Sequence, residues 1–307
     1  MAISAKEVME LRKQTDCGMM ECKKALTDAE GDFAKAVELL REKGLATASK
    51  KAGRVAAEGM VYATACSECK VGVALEVNAE TDFVAKNDKF VDFVKKVADV
   101  IIKENPADVE ALMACKMGEG TVDDALKNLI LVIKENIKVR RFTRYEGVCA
   151  AYIHAGGTHA VLVNFDTTDE VAAKPEFAAY GKDIAMQIAA ANPTYVCREE
   201  VPADVLDKEK EILLAQMAND PKTANKPDAI KEKMAIGKLG KFYKEACLVD
   251  QAFIKDGGMD VKKYVADTAK ALGGDIKIAS FTHFTKGEGL EKRNEDFAAE
   301  VAAAIKG

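Results

Sequence analysis

Asn78-Ala-Glu-Thr-Asp-Phe-Val-Ala-Lys-Asn87 joins a strand to a helix, and its reading decides the fold. Before it, Val71, Val73, Leu75 and Val77 alternate, the period of a strand with one buried face. After it, Phe90, Val94, Val97 and Ile101 recur at helical spacing, and Phe93 and Val100 widen the apolar stripe. The junction carries Asp82-Phe83 where a connection is ordinarily polar. An aromatic beside a carboxylate there either tucks back onto its own core or reaches towards a partner.

The pattern around this junction occurs twice. Glu58-Gly59-Met-Val-Tyr-Ala, a turn near Cys66 to Cys69, the strand Val71 to Val77 and a helix come first. They are answered by Glu146-Gly147-Val-Cys-Ala-Ala-Tyr-Ile, a turn at His154 to His159, Ala160 to Phe165 and another helix. The offset slips by one residue before the helices, where Phe90 matches Phe177 and Val97 matches Ile184. Two such modules predict a duplicated α+β core, each small sheet covered on one face by helices. At the strand offset, Glu170-Val171 replaces Asp82-Phe83 in the second copy. An aromatic needed only for folding belongs in both copies, so its absence from the second favours a functional role.

Towards the N-terminus, Ser4-Ala-Lys-Glu7 fits a capping box that opens a helix with Val8 and Leu11 on its inner face. Thr15-Asp-Cys-Gly18 breaks it, a second helix runs from about Met19 to Ala29, and Gly31-Asp32 opens a third that Gly44 closes as a left-handed cap. These make a three-helix bundle over 1–45. Met19-Met20 is either core filler or a docking patch. The basic stretch 46–57, with Lys50, Lys51 and Arg54, reads as a linker. Core subdomains are expected at 58–142 and at 143–202 with 240–275. The first includes a helix from Val109 to Met117 and another after Thr121. The breaker Asn219-Asp-Pro-Lys-Thr-Ala-Asn-Lys-Pro-Asp228 divides an antiparallel helical hairpin at 203–239. A strand at Ile276 to Phe284 and a helix at Asp296 to Ile305 form a C-terminal module, 276–307, that packs back on the core.

A chain of 307 residues exceeds one ordinary core. Its net charge of −5 and pI near 5.5 argue against a dedicated nucleic-acid binder and for a protein or small-molecule partner. No signal pattern or membrane-length apolar run is present, and eight scattered cysteines read as reduced thiols, so a cytoplasmic chain is expected. Cys66-Ser-Glu-Cys69 has the spacing of half a zinc site or of a redox pair. No second C-x-x-C follows, and His154 and His159 lie in the other copy's turn, so a plain hairpin turn is the reading and no metal or cofactor is expected. There is no Walker A loop, G-x-G-x-x-G, G-x-S-x-G or H-E-x-x-H. With three histidines and no nucleophile, base and orienting carboxylate together, no catalytic residue is assigned.

Four stretches in order resemble the translation elongation factor Ts family. They are Leu11-Arg-Lys-Gln-Thr-Asp-Cys-Gly-Met-Met-Glu-Cys-Lys-Lys-Ala-Leu26, Arg54-Val-Ala-Ala-Glu-Gly59, Glu76-Val-Asn-Ala-Glu-Thr-Asp-Phe-Val-Ala-Lys-Asn87 and Glu135-Asn-Ile-Lys-Val-Arg-Arg141. The similarity extends to Asp296-Phe-Ala-Ala-Glu-Val-Ala-Ala303. The chain departs from the family pattern at Asp16 and Cys17, where Gly or Ala is usual, and at Lys134, where Gly is common. The resemblance implies a ubiquitin-associated-like (UBA-like) bundle, a two-subdomain core, a coiled-coil hairpin and a C-terminal module. It also implies nucleotide exchange on the GDP-bound GTPase elongation factor Tu, with no nucleic acid or membrane as partner. Thr81, Asp82, Phe83 and Val84 would then disturb the magnesium site of the GTPase, and His154 would make a second contact. Leu11, Arg12, Met19, Met20, Lys51 and Ile133 are further contact candidates. The alternatives are an adaptor acting only through the bundle, and a thiol-dependent enzyme using Cys66 and Cys69.

Overall fold

Residues 3–15 and 17–291 are described by the computed structural model; Asp16 and the helix expected at Asp296 to Ile305 lie outside the described residues. Three helices come first, α1 (Ala5–Thr15), α2 (Met19–Asp28) and α3 (Phe33–Lys51). The first core module has β1 (Glu58–Cys66), β2 (Val71–Ala79), α4 (Asp88–Glu104), α5 (Val109–Ala114), the short pair β3 (Lys116–Met117) and β4 (Gly120–Thr121), α6 (Val122–Ile133) and β5 (Lys138–Glu146). The second has β6 (Val148–His154), β7 (His159–Thr167), α7 (Asp169–Ala172) and α8 (Pro175–Ala191). Two long helices follow, α9 (Ala203–Asn219) and α10 (Asp228–Ala246), then β8 (Ala252–Phe253), β9 (Asp256–Asp260), α11 (Val261–Leu272) and β10 (Ile276–Thr285). This mixture of helices and antiparallel sheet is an α+β architecture.

The duplication extends beyond the hairpin and helix. Each copy forms a three-stranded antiparallel sheet, β1-β2-β5 and β6-β7-β10, with the second hairpin strand in the centre. Each third strand bulges at the matching place, β5 opposite Glu76/Val77 and β10 between Ile278 and Ser280. Sequence patterning missed β5, and it assigned β10 to a separate C-terminal module although β10 completes the second sheet. Phe90, Val94, Val97 and Ile101 of α4 are all fully buried against the first sheet. Each contributes roughly 1.5–3 kcal/mol of burial. Helices α8 and α11 cover the second sheet.

The two sheets meet face to face through small residues, Val61, Ala63 and Ala74 against Ala160 and Leu162. A Cβ on Gly72 would lie 2.5 Å from Leu162, so glycine permits this approach. Strand β2 is consequently buried along its whole length, on both faces rather than the one its alternation suggested.

Ser4 and Glu7 cap α1 reciprocally, the Ser4 N–H donating to Glu7 at 2.7 Å and the Glu7 N–H to Ser4 Oγ at 3.3 Å. Val8, Leu11, Cys22, Leu26 and Leu40 fill the bundle together with Leu131 of α6. Helix α3 does not end at Gly44. That residue is buried against α6, where a Cβ would sit 3.4 Å from the Lys127 carbonyl oxygen, so close helix packing replaces the expected cap. The supposed linker is helical up to Lys51 and irregular only from Ala52. Helices α9 and α10 form the expected antiparallel hairpin, but α10 continues past 239 to Ala246. The expected helix from Val109 to Met117 ends at Ala114, and Lys116–Met117 pairs with β4.

Candidate functional site

Between β2 and α4 the chain makes a single 3-10 turn, Val84–Lys86. Phe83 precedes it in an ordinary right-handed conformation, φ −61 and ψ −34, and its carbonyl accepts the Lys86 N–H at 3.2 Å. Val84 points into the first core and Asn87 caps α4 by accepting the Lys89 N–H at 3.0 Å. Phe83 is left outside the core with 79% of its surface exposed, on a turn anchored at the next residue. Asp82 beside it is exposed; its carbonyl accepts the Ala85 N–H at 3.2 Å, while its carboxylate makes no hydrogen bond or ion pair among the described residues.

Charged side chains fasten the base of this loop. The Glu135 carboxylate accepts the Thr81 N–H at 2.9 Å and the Thr81 hydroxyl at 2.7 Å. Glu80 accepts the Asn136 N–H at 2.6 Å and lies 3.5 Å from Arg54. Asn136 donates in turn to the Arg54 carbonyl at 2.7 Å. Deeper in β2, Glu76 is fully buried and receives Arg140 at 3.2 Å, Arg141 Nε at 2.7 Å, Asn78 Nδ2 at 3.0 Å and the Gly287 N–H at 2.8 Å. Burial alone would raise the Glu76 pKa, but the bonds from Asn78, Gly287 and Arg141 outweigh it and hold the carboxyl below its ordinary value. Three quoted stretches thus converge beneath Phe83. Sequence reasoning gave Glu76, Glu80, Glu135 and Asn136 no role. The available signal was a lone glutamate inside an apolar strand, answered by the paired arginines of a later stretch.

The other contact candidates divide by exposure. Met19 (50% exposed) and Met20 (74%) lie on the bundle surface and are not core filler, and Arg12 and His154 are also exposed. His154 Nδ1 is 3.0 Å from the Tyr152 hydroxyl. Leu11 is fully buried in the bundle and Val84 in the first core, so both side chains hold the scaffold and present no contact surface. Thr81, Lys51 and Ile133 are half-buried. Lys51 Nζ donates to the Lys134 carbonyl at 2.6 Å, and Lys134 Nζ lies 3.7 Å from Glu21 of α2. Residues 134–136 therefore touch both the bundle and the Phe83 loop.

The structure also corrects how the two copies align at this junction. The strands match up to Ala79 and Thr167, and Val84 and Val171 are both buried just ahead of their long helices. Thr81-Asp82-Phe83-Val84 therefore corresponds to Thr168-Asp169-Glu170-Val171, with Glu80 as the extra residue of the first copy. Phe83 pairs with exposed Glu170, not with Val171.

Among the described residues no three His, Cys, Asp or Glu side chains converge as metal ligands, and no helix is long and apolar enough to cross a membrane. A sequence profile of the family described as Elongation factor TS matches residues 80–288, which hold the loop together with Glu135 and Asn136. Proteins named Elongation factor Ts are similar to this chain over nearly its whole length. That of Trichlorobacter lovleyi is 49% identical over 99% of both chains, and that of Symbiobacterium thermophilum is 48% identical over 97% of both. That of Clostridium perfringens is 47% identical over 98% of both. On a matching family profile and on identities this high across nearly all of each chain, the protein belongs to the elongation factor Ts family, whose name assigns it to translation elongation.

Proposed function

We propose that this chain is the guanine nucleotide exchange factor of elongation factor Tu, and that it releases GDP by distorting the magnesium and phosphate site of that GTPase. The observation that carries the proposal is Phe83, an aromatic with 79% of its surface exposed on an anchored turn. An aromatic held outside its own core is a ready binding anchor. GDP binding rests on Mg²⁺ coordination and on backbone donors around the phosphates, both intolerant of small displacements. A protein that binds the distorted form best weakens GDP by the factor that GDP weakens it. Phe83 supplies shape and area, and exposed Asp82 supplies a charge for the displaced elements. Met19, Met20, Arg12 and His154 extend the contact.

The activity requires no covalent bond change, so the chain acts by binding and not as a catalyst of covalent chemistry. In this reading the three-helix unit is UBA-like, α9 and α10 form a coiled-coil hairpin, and the protein works in the cytoplasm. The test follows release of a fluorescent GDP analogue from elongation factor Tu by stopped flow. Wild type accelerates release, and a folded Asp82→Ala, Phe83→Ala variant loses about 30-fold or more of that acceleration, the scale of an anchor residue. No acceleration by folded wild type would overturn the proposal in favour of an adaptor acting through the bundle.

A further inference from the structure

The turn between β1 and β2 brings two thiols together outside the loop just described. Cys66 closes β1 in register with Val71, and Cys69 lies three residues on in the same tight turn. The Cys69 N–H donates to Cys66 Sγ at 3.1 Å. Cα atoms across so tight a turn fall in the range a disulfide spans. Cys69 is exposed and Cys66 half-buried, so both are open to a small reagent. The other six are less suited. Cys17, Cys22 and Cys247 are buried, and burial raises the Cys149 thiol to about 11. Cys115 and Cys197 are half-buried, Cys115 bonding to the Ala111 carbonyl at 3.3 Å, and burial raises the Cys197 thiol.

We propose that Cys66 and Cys69 are a thiol-disulfide exchange site that closes reversibly into an intramolecular disulfide by reaction with a low-molecular-weight disulfide such as oxidised glutathione. The Cys69 N–H reaches the Cys66 sulfur, and hydrogen bonding to Cys66 makes Cys69 retain its proton, so Cys66 is the attacking thiol and Cys69 the resolving one. The Cys66 thiolate attacks the reagent, forms a mixed disulfide and expels one glutathione thiolate. Cys69 then attacks the Cys66 sulfur, and the second glutathione leaves. The protein loses two electrons and two protons, and one glutathione disulfide becomes two glutathione thiols. Closure also fastens a turn that bridges the modules, because Lys70 Nζ lies 2.6 Å from Asp169 and the Lys70 carbonyl accepts the Gly147 N–H at 2.8 Å.

Trypsin releases both cysteines on one peptide, Val55 to Lys70. The full chain is incubated in graded mixtures of reduced and oxidised glutathione, quenched in acid, alkylated and digested. Wild-type peptide is expected in two forms, doubly alkylated or lacking both hydrogens, with scarcely any glutathione adduct. In the Cys69→Ser variant the adduct on Cys66 accumulates, because nothing displaces it. Equal accumulation of adduct in wild type would overturn the proposal. So would doubly alkylated wild-type peptide under mixtures that modify the variant, or a failure of both proteins to react.

Discussion

Thr81-Asp82-Phe83-Val84 and Thr168-Asp169-Glu170-Val171 are one junction built twice, and their divergence separates what the fold requires from what is left over for function. Both valines are buried and both third positions are exposed. The second copy uses its polar residues locally: Thr168 caps α7 and Asp169 pairs with Lys70 at 2.6 Å. In the first copy Thr81 turns to Glu135, the extra residue Glu80 turns to Asn136, and the Asp82 carboxylate has no partner among the described residues. The first junction is thus fastened from a distant segment, and its exposed position carries an aromatic where the twin carries a glutamate. A solvated carboxylate is ordinary at a surface turn; a Phe there has no folding rationale.

The same comparison sets the largest expected effect, beneath the loop. Glu76 and Asn164 sit at matching positions of the two central strands, opposite Arg141 and Ser280. Replacing Glu76 with Gln leaves Arg140 and Arg141 facing a neutral group, and breaking a buried pair costs about 3–5 kcal/mol. Urea unfolding at neutral pH should show that loss. Because the folded-state pKa is lowered from 4.5, the advantage of wild type is complete above that value and disappears as pH falls through the lower folded one. A gap between the two proteins that persists unchanged under strongly acidic conditions would show that charge on Glu76 is not its source.

Exchanging the exposed residues tests the comparison at the surface. Phe83→Glu should remove about 2–4 kcal/mol of partner binding and leave the thermal midpoint in place, whereas Glu170→Phe should alter neither. A fall in thermal midpoint for Phe83→Glu would show that the aromatic belongs to the core after all. The fastening of the loop comes next in size. Glu135→Ala removes two charge-assisted hydrogen bonds to Thr81, worth about 2 kcal/mol together once exposure is allowed for. Its signature is faster amide exchange confined to the loop, with a several-fold slower nucleotide release. Protection unchanged at Thr81 would remove Glu135 from any positioning role.

How much of this was legible in the sequence follows from how far each interaction reaches along the chain. The alternation of Val71 to Val77 and the helical stripe from Phe90 are local, and the strand and the helix form where they are expected, although the second face of the strand is buried too because the other sheet packs on it. Strand β5, Lys-Val-Arg-Arg-Phe-Thr-Arg-Tyr-Glu, was hidden because its arginines answer Glu76, more than sixty residues away. Strand β10 was visible as a strand, but not its place beside β7. Gly44 has the composition of a cap, yet a packed helix from the next module decides its role. The extra residue Glu80 was misplaced because only burial of Val84 and Val171 shows where the slip falls. Exposure of Phe83 could be argued from its absence in the second copy, while the carboxylates that hold its loop required the fold.

The smallest effect concerns Lys134, a position where the sequence resemblance leads to glycine being expected. Lys134 ends α6 in the left-handed region, φ 66, a conformation that costs a side-chain-bearing residue about 1 kcal/mol relative to glycine. Its ammonium lies 3.7 Å from Glu21, but it is well exposed and Glu21 has a second cation, Lys43, at 3.5 Å. Such a pair contributes well under about 1 kcal/mol. The bond from Lys51 uses the backbone carbonyl of residue 134 and survives the substitution. Relief of strain therefore outweighs the lost ion pair, and Lys134→Gly should stabilise the protein by about 0.5 kcal/mol. Urea unfolding of Lys134→Gly, Glu21→Ala and the double variant separates the two contributions. Destabilisation by Lys134→Gly that vanishes in the Glu21→Ala background would make the link from bundle to α6 the larger one, and would explain why lysine stands where glycine fits the backbone better.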